Sequence, residues 1–139
     1  MTTKEWLSRG WKLNQEIDAL IEAQTRARNL AYGITSATTG GNHGSNKPKS
    51  KVESHILIYM QYEQMINDRI DNLYQIQKEI LDTIKKVDNS LLRTILISRY
   101  VNFKKWEKIA VEINYDYYHV IKYLHPKALS MIKIPPNTT

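Results

Sequence analysis

Residues 106–124 read Trp-Glu-Lys-Ile-Ala-Val-Glu-Ile-Asn-Tyr-Asp-Tyr-Tyr-His-Val-Ile-Lys-Tyr-Leu, and two short helical patterns meet in this stretch across a tight turn. Ala110 is small enough to let two crossing helices approach closely. Asn114 and Tyr115 are expected to form the turn, since Asn tolerates the left-handed backbone that such turns commonly require. Asp116 is then a good N-cap for the next helix. The stretch predicts a helix-turn-helix, and this element decides the fold.

The helix after the turn carries several polar and aromatic side chains. If its apolar positions face a core, the outward-facing residues are Tyr118, His119, Lys122, Tyr123 and His125. Neutral and cationic side chains of this kind contact phosphates and base edges in a DNA major groove. The candidate DNA-binding residues are Lys104, Lys105, Tyr117, Tyr118, His119, Lys122, Tyr123 and Lys127. Alternatively, the tyrosines provide amphipathic cover for a small core.

Two more apolar patterns of helical period flank this stretch. Asp88-Asn89-Ser90 can end one helix and cap the next, and residues 91–100 then carry an apolar face. Residues 120–132 carry another. Only a few residues connect these segments, so we expect a three-helix DNA-binding module over residues 88–134. Residues 135–139 are predicted to form a disordered tail.

The N-terminal part predicts a long helix followed by a connector. Apolar side chains recur at steps of three and four along residues 3–32, which favours one amphipathic helix. Gly10 and Gln24 interrupt this stripe, and we expect the helix to be loosened near Gly10. Residues 33–50 are rich in Gly, Ser, Thr and Asn without periodicity, which predicts a flexible connector.

Residues 51–87 carry the most regular pattern of the chain, a coiled-coil seam. Its members are Val52, Ile56, Tyr59, Ile66, Ile70, Leu73, Ile80, Ile84 and Val87. Ser50 and Glu53 resemble a capping box, which places the start of the helix near Lys51. Glu63 and Gln77 interrupt the seam, and either they are solvated or they set register or oligomeric state.

Neither long helix can bury its apolar stripe alone. We therefore expect residues 1–87 to form an antiparallel helical hairpin, in an all-α protein that ends in the three-helix module. A coiled-coil seam also serves assembly between chains, so a homodimer through the long helices is a second expectation.

Charge is unevenly distributed along the 139 residues, whose net charge is +6. Residues 1–87 carry 12 Lys/Arg against 10 Asp/Glu, whereas residues 88–139 carry 8 against 4. The excess positive charge of the shorter segment suits a polyanion such as DNA. The chain has no cysteine, which excludes disulfides and thiolate chemistry, and we expect a cytoplasmic protein without a membrane partner.

The sequence carries no pattern typical of an enzyme. His119 and His125 are six positions apart and would lie on different helix faces, and His43 and His55 flank the connector. Neither pair has the spacing of a helical metal site, and there is no phosphate-binding loop or nucleophile elbow. We expect no catalytic residue, no metal and no cofactor.

Three segments resemble, in order, the signatures of sigma-70 region four. They are Leu-Leu-Arg-Thr-Ile-Leu-Ile-Ser-Arg-Tyr (91–100), Trp-Glu-Lys-Ile-Ala (106–110) and Val-Ile-Lys-Tyr-Leu-His-Pro-Lys-Ala-Leu (120–129). With its long N-terminal helices, the whole chain resembles the ArpU and RinA late-operon regulators of phages and prophages of Gram-positive bacteria. The resemblance implies a sequence-specific DNA-binding activator of late genes that acts with RNA polymerase of the bacterial host.

The sequence departs from the region-four pattern in two places. Aligning Ala128 leaves about one extra residue between Asn114 and Val120, and Pro126 is expected to bend or end the recognition helix. The chain also has no counterpart of the region that melts the minus-ten element, which favours an accessory regulator. The alternatives are a helical protein–protein interaction module and a phage DNA-packaging subunit of the small-terminase type.

Overall fold

The computed structural model describes residues 1–39 and 47–136, and it describes side chains for 1–33 and 51–136. Most of these residues are helical and none lies in a strand, so the all-α class and the two long helices are confirmed. The helices are α1 (Thr3–Leu7), α2 (Arg9–Thr39), α3 (Lys47–Ile84), α4 (Ser90–Tyr100) and α5 (Trp106–Ile113). A last continuous stretch, α6 (117–130), consists of Tyr117–His119, Val120–Leu124 and His125–Ser130.

Helix α1 begins at a capping box and ends close to the predicted loosening. The Thr2 hydroxyl accepts a hydrogen bond from the Glu5 amide at 3.1 Å, and the Glu5 carboxylate accepts one from the Thr2 amide at 3.3 Å. The chain leaves the helix at Ser8, two residues before Gly10, and α2 follows directly. The expected long helix over 3–32 is confirmed, with an interruption at one residue, Ser8, that divides it into α1 and α2.

Both long helices extend further into the predicted connector than the sequence indicated. Helix α2 continues to Thr39, and α3 begins at Lys47, four residues before the predicted start near Lys51. Residues with low helix propensity other than Pro, such as the Gly, Ser, Thr and Asn of this connector, each lower the stability of a helix by at most about 1 kcal/mol. A single such residue is too weak a signal to end a long helix. The central connector residues, 40–46, and the end of the predicted tail, 137–139, lie outside the described residues.

The chain forms two compact units, the hairpin unit (Asn14–Asn72) and the terminal unit (Met1–Leu13 with Leu73–Thr139). Their boundary lies within α2 and α3 and differs from the predicted division at residue 88. The reason is that α1 and the end of α3 bury their apolar side chains in the same core as α4, α5 and α6.

Twelve buried side chains make up the core of the terminal unit. They are Trp6, Leu7, Ile80, Ile84, Val87, Leu92, Ile95, Leu96, Tyr100, Ile109, Ala128 and Ile132. Full burial of a large apolar side chain contributes about 1.5–3 kcal/mol, so the residues before 88 are integral to the stability of this unit. Their amphipathic pattern was visible in the sequence, but the pattern does not say which helices cover it.

In the hairpin unit, two polar contacts show that α2 and α3 run antiparallel. The Gln24 side-chain amide donates to Glu63 Oε2 at 2.6 Å, and Arg69 Nε lies 3.1 Å from Glu16 Oε1. Residue numbers thus fall along α2 as they rise along α3. Glu63, one of the two polar interruptions of the predicted seam, meets Gln24, the interruption of the other stripe.

Part of the predicted α3 seam is not covered by α2. Ile66 is buried in the hairpin unit, but Ile56 and Ile70 keep 50% and 45% of their surface exposed. The residues that directly precede Ile56, Glu63 and Ile70 are half-buried: His55, Tyr62 and Arg69. The side of α3 that faces α2 is therefore rotated by about one residue from the predicted one. A single partner helix covers one stripe of α3, and the apolar surface of α3 is wider than that stripe.

The second polar interruption, Gln77, belongs to the terminal unit. Its side-chain amide donates a hydrogen bond to the Val101 carbonyl at 3.2 Å, just after the end of α4. Gly10 lies nearby in the same unit, where a Cβ would be 3.4 Å from Leu73 Cδ1 and 3.5 Å from Phe103 Cζ. Gly10 and Gln77 thus lie where the chain packs closely against the turn between α4 and α5.

Candidate functional site

The turn between α5 and α6 has the local geometry that its residues predicted. Asn114 adopts the left-handed conformation with φ 60° and ψ 43°, and the Tyr115 amide donates to the Ala110 carbonyl at 3.1 Å. The Asp116 carboxylate then accepts from the amides of Tyr118 and His119, at 3.1 and 3.3 Å. Ala110 is buried at the end of α5.

Helix α6 passes through a π-helical turn before Pro126. Residues Val120–Leu124 form this turn, and the His125 amide donates to the Val120 carbonyl. In an α-helix, the Pro126 ring would crowd the carbonyl of Lys122; the wider π turn changes the spacing between them. Pro126 was expected to bend or end the recognition helix. The helix does not end there, since it continues to Ser130, but its hydrogen bonding changes to the π pattern in the preceding turn.

The outer face of α6 carries a row of aromatic side chains. The rings of Tyr115 and His119 stack with centroids 5.7 Å apart and planes at 11°, and His119 lies 5.3 Å from Tyr123. Lys122 Nζ lies 5.6 Å from the centre of the Tyr118 ring. Tyr118 and Tyr123 are 64% and 65% exposed, so the row faces solvent in the terminal unit.

Tyr115 is the member of this row that the sequence reasoning did not include. It was assigned to the turn, although Tyr115, His119 and Tyr123 follow each other at i, i+4 spacing. Such spacing places side chains on one helix face and was the signal that could have identified it. Tyr117, in contrast, is half-buried and contacts the Tyr118 ring edge-on at 5.5 Å.

The candidate lysines occupy different environments. Lys104 forms an ion pair with Glu112 at 2.7 Å, and this hydrogen bond lowers the pKa of the Glu112 carboxyl. Lys105 occupies the N-cap position of α5 without a side-chain cap and is exposed, as is Lys127 on α6. The structure thus groups Tyr118, His119, Lys122 and Tyr123 on one face, whereas the Lys104 charge is paired within the protein.

His125 was expected to face outward, and this expectation is wrong. Its side chain is only 7% exposed and its Nε2 lies 2.6 Å from the Tyr100 hydroxyl. The Trp106 ring packs against it with centroids 4.4 Å apart. His125 follows Ile121 by four residues and precedes Ala128 by three, so helical spacing already placed it on the inward stripe.

Burial changes the proton affinities of both members of this hydrogen bond. Desolvation lowers the pKa of His125 to about 4, and the positive charges of Lys4 and Arg99 act in the same direction. Desolvation raises the pKa of Tyr100 to about 12 against the opposing effect of Arg99. At neutral pH the imidazole and phenol are therefore both uncharged, as suits groups in an apolar core.

Arg99 joins this cluster to α2 through two indole rings. Its guanidinium lies 4.8 Å from the centre of the Trp11 ring and 4.9 Å from that of Trp106. Nη1 of Arg99 also donates to the Lys104 carbonyl at 2.9 Å. This arginine stabilises the turn between α4 and α5, in which Phe103 adopts a positive φ of 58°.

Comparisons of the chain with protein families, with curated proteins and with solved structures give no match. Within residues 1–39 and 47–136, no group of three or more His, Cys, Asp or Glu side chains is placed to hold a metal ion. No helix of these ranges is both long and apolar enough to span a lipid bilayer.

Proposed function

We propose that the terminal unit binds double-stranded DNA through a helix-turn-helix, with α5 as the first helix, Asn114-Tyr115 as the turn and α6 as the recognition helix. The observation that carries the proposal is the exposed face of α6 formed by Tyr118, His119, Lys122 and Tyr123, which follows the Asp116 cap. Helix-turn-helix proteins read base edges with the N-terminal part of the second helix.

The side chains of this face divide into two kinds of contact. Lys122 is suited to a phosphate, because an ammonium group neutralises backbone charge whatever the base sequence. Phenol and imidazole groups donate and accept hydrogen bonds, so Tyr118, His119 and Tyr123 are suited to base edges or phosphates. Lys105, exposed at the start of α5, is placed for a second phosphate contact.

Electrostatics support an anionic partner for this unit. Residues 88–139 carry 8 Lys/Arg against 4 Asp/Glu, and two of those four acids already have partners within the protein. Glu112 pairs with Lys104, and Asp116 caps the amides at the start of α6. Lys105, Lys122 and Lys127 remain exposed on the unit. Negative charge near the recognition helix is therefore largely compensated by neighbouring donors.

The resemblance to sigma-70 region four directs the proposal towards transcription. The three segments that carry this resemblance, 91–100, 106–110 and 120–129, lie on α4, α5 and α6. We therefore propose a phage or prophage regulator of the ArpU and RinA kind, acting on late genes with host RNA polymerase. Its long hairpin favours an accessory regulator over a promoter-opening subunit.

Fluorescence anisotropy of a labelled duplex at several salt concentrations tests DNA binding. We expect affinity to fall steeply with salt, and we expect Lys122→Glu to weaken binding and to reduce the salt slope by about 1. Lys78→Glu makes the same charge change at an exposed position of α3. It is the matched control and is expected to change affinity much less.

Three outcomes would overturn the proposal. The parent protein and Lys122→Glu could both lack DNA affinity at low salt, or the two charge reversals could weaken binding equally. Tyr118→Ala and Tyr123→Ala could also leave binding unchanged at all sequences, although base contacts each contribute about 1–3 kcal/mol of discrimination. A second duplex that carries a phage late promoter then separates a regulator from a packaging subunit. Only a regulator is expected to bind it more tightly than a duplex of unrelated sequence.

A further inference from the structure

We infer that a second copy of this chain packs antiparallel on one face of the hairpin unit, so that two hairpins form a four-helix bundle. This inference does not rest on DNA binding. It rests on three observations within residues 14–72: an exposed apolar stripe on α3, a pair of opposite charges on α2, and a hydrogen bond that aligns the midpoints of both.

The exposed stripe on α3 has an isoleucine at the same distance on each side of Glu63. Ile56, Met60, Glu63, Asn67 and Ile70 follow each other at steps of four and three, which places them on one side of the helix. Three of them are exposed apolar side chains: Ile56 at 50%, Met60 at 60% and Ile70 at 45%. The two isoleucines lie one heptad before and one heptad after Glu63.

The matching stripe on α2 carries an acid and a base at equal distances from its middle. Asp18, Ile21, Thr25 and Arg28 share one face, with Asp18 and Arg28 five residues on either side of residue 23. Arg28 lines the same groove as Ile56, so the α2 and α3 stripes lie on the same side of the hairpin. Asp18 has no ion-pair partner within the described part of the chain.

The two midpoints lie at the same height along the hairpin. The hydrogen bond between Gln24 and Glu63 joins the residue next to the α2 midpoint to the α3 midpoint. A twofold axis at that height suits the isoleucines of α3 and the charges of α2, and it brings Glu63, already hydrogen-bonded to Gln24, next to the partner's Glu63. It would place Ile56 against the partner's Ile70, and Asp18 against the partner's Arg28.

The opposite face of the hairpin does not offer this match. On the opposite face, Ala23, Arg26, Leu30, Ile58 and Tyr62 line the groove. With the same midpoint, Leu30 there would meet the partner's Glu16, which already pairs with Arg69. The complementary pair of Asp18 and the partner's Arg28 therefore favours this face and the antiparallel orientation.

Sedimentation and light scattering of the full chain across micromolar concentrations test the assembly. The parent protein is expected to be a dimer, and Ile70→Glu to reduce the association constant by at least roughly 100-fold, because the unpaired charge would be buried at two symmetric sites. Leu57→Glu is the control, since Leu57 is 61% exposed and lies off the stripe. Far-ultraviolet circular dichroism establishes that both variants stay helical.

Charge reversal and cross-linking test the orientation. Arg28→Glu is expected to weaken the dimer about 10-fold, and adding Asp18→Lys in the same chain to restore most of the loss. Because the chain has no cysteine, Asp18→Cys and Arg28→Cys are clean probes. After subunit exchange, the two cysteine variants are expected to form a disulfide-linked heterodimer when mixed and little product when oxidised separately.

Each contrary result would overturn the inference. These results are a parent protein that is monomeric at all concentrations, a dimer that Leu57→Glu weakens as much as Ile70→Glu does, and a double charge reversal that is weaker than Arg28→Glu alone. Absence of the mixed disulfide in a dimeric preparation would reject the antiparallel geometry.

Discussion

Acidification below neutral pH should destabilise the terminal unit through His125. This imidazole is buried between Tyr100 and Trp106, and burial together with the charges of Lys4 and Arg99 lowers its pKa from 6.5 to about 4. In the unfolded chain it regains its ordinary pKa. Between those two values the unfolded state binds the additional proton, so the free energy of unfolding falls as the pH falls.

The size of the effect follows from the two pKa values. A shift of about two and a half pKa units at 1.36 kcal/mol each corresponds to about 3 kcal/mol in the free energy of unfolding. This stability is fully present above the unfolded pKa of 6.5 and is lost as the pH falls from 6.5 towards 4. About 2 kcal/mol of this loss occurs between roughly pH 7 and pH 5. That is a large part of the stability of a small domain.

Urea unfolding at a series of pH values, followed by tryptophan fluorescence, measures this dependence. His125→Gln removes the titrating group while its amide can still bond to Tyr100, so this variant is expected to be less stable at pH 7 but to have a flatter pH profile. His119→Gln removes an exposed imidazole and is the control, expected to keep the parent profile. A His125→Gln profile as steep as that of the parent would refute the reasoning.

Three further predictions concern local geometry and can be checked by the same unfolding measurements. Phe103→Ala should be less stable than Phe103→Gly by about 1 kcal/mol, the reverse of the usual order, because φ is 58° there; equal stabilities would contradict this. Asp116→Ala should cost about 1 kcal/mol through loss of the α6 cap, whereas Asp116→Asn keeps most of it. Gln24→Ala and Glu63→Ala should be coupled by about 0.5 kcal/mol, and strict additivity would show that their hydrogen bond is not formed in solution.

The parts of the candidate site that depend on neighbouring residues were predictable from the sequence. The left-handed Asn114 and the Asp116 cap are properties of a few consecutive residues, since backbone preference and side-chain length decide them. The helical period likewise predicted the exposed face of Tyr118, His119, Lys122 and Tyr123. The binding of this face to DNA stays a prediction, and so does the role as a phage regulator that the resemblance implies.

Contacts between side chains of different elements were not predictable in the same way. The pairing of Lys104 with Glu112 withdraws a lysine that composition alone counts as available. The position of Trp6 and Leu7 in the terminal core depends on which amphipathic surfaces fit together. An apolar period identifies a face that must be covered, but many partners satisfy it equally well.

For this protein, the sequence by itself determined the all-α class, the two long helices, the α5–α6 turn and the concentration of positive charge after residue 87. These properties follow from periodicity, capping and composition, which act over a few residues. Only the tertiary structure decided that His125 bonds to Tyr100, that α1 joins the terminal unit, and that Ile56 and Ile70 remain exposed on α3. Packing decides these because each depends on the shape and width of a surface formed by helices far apart in the chain.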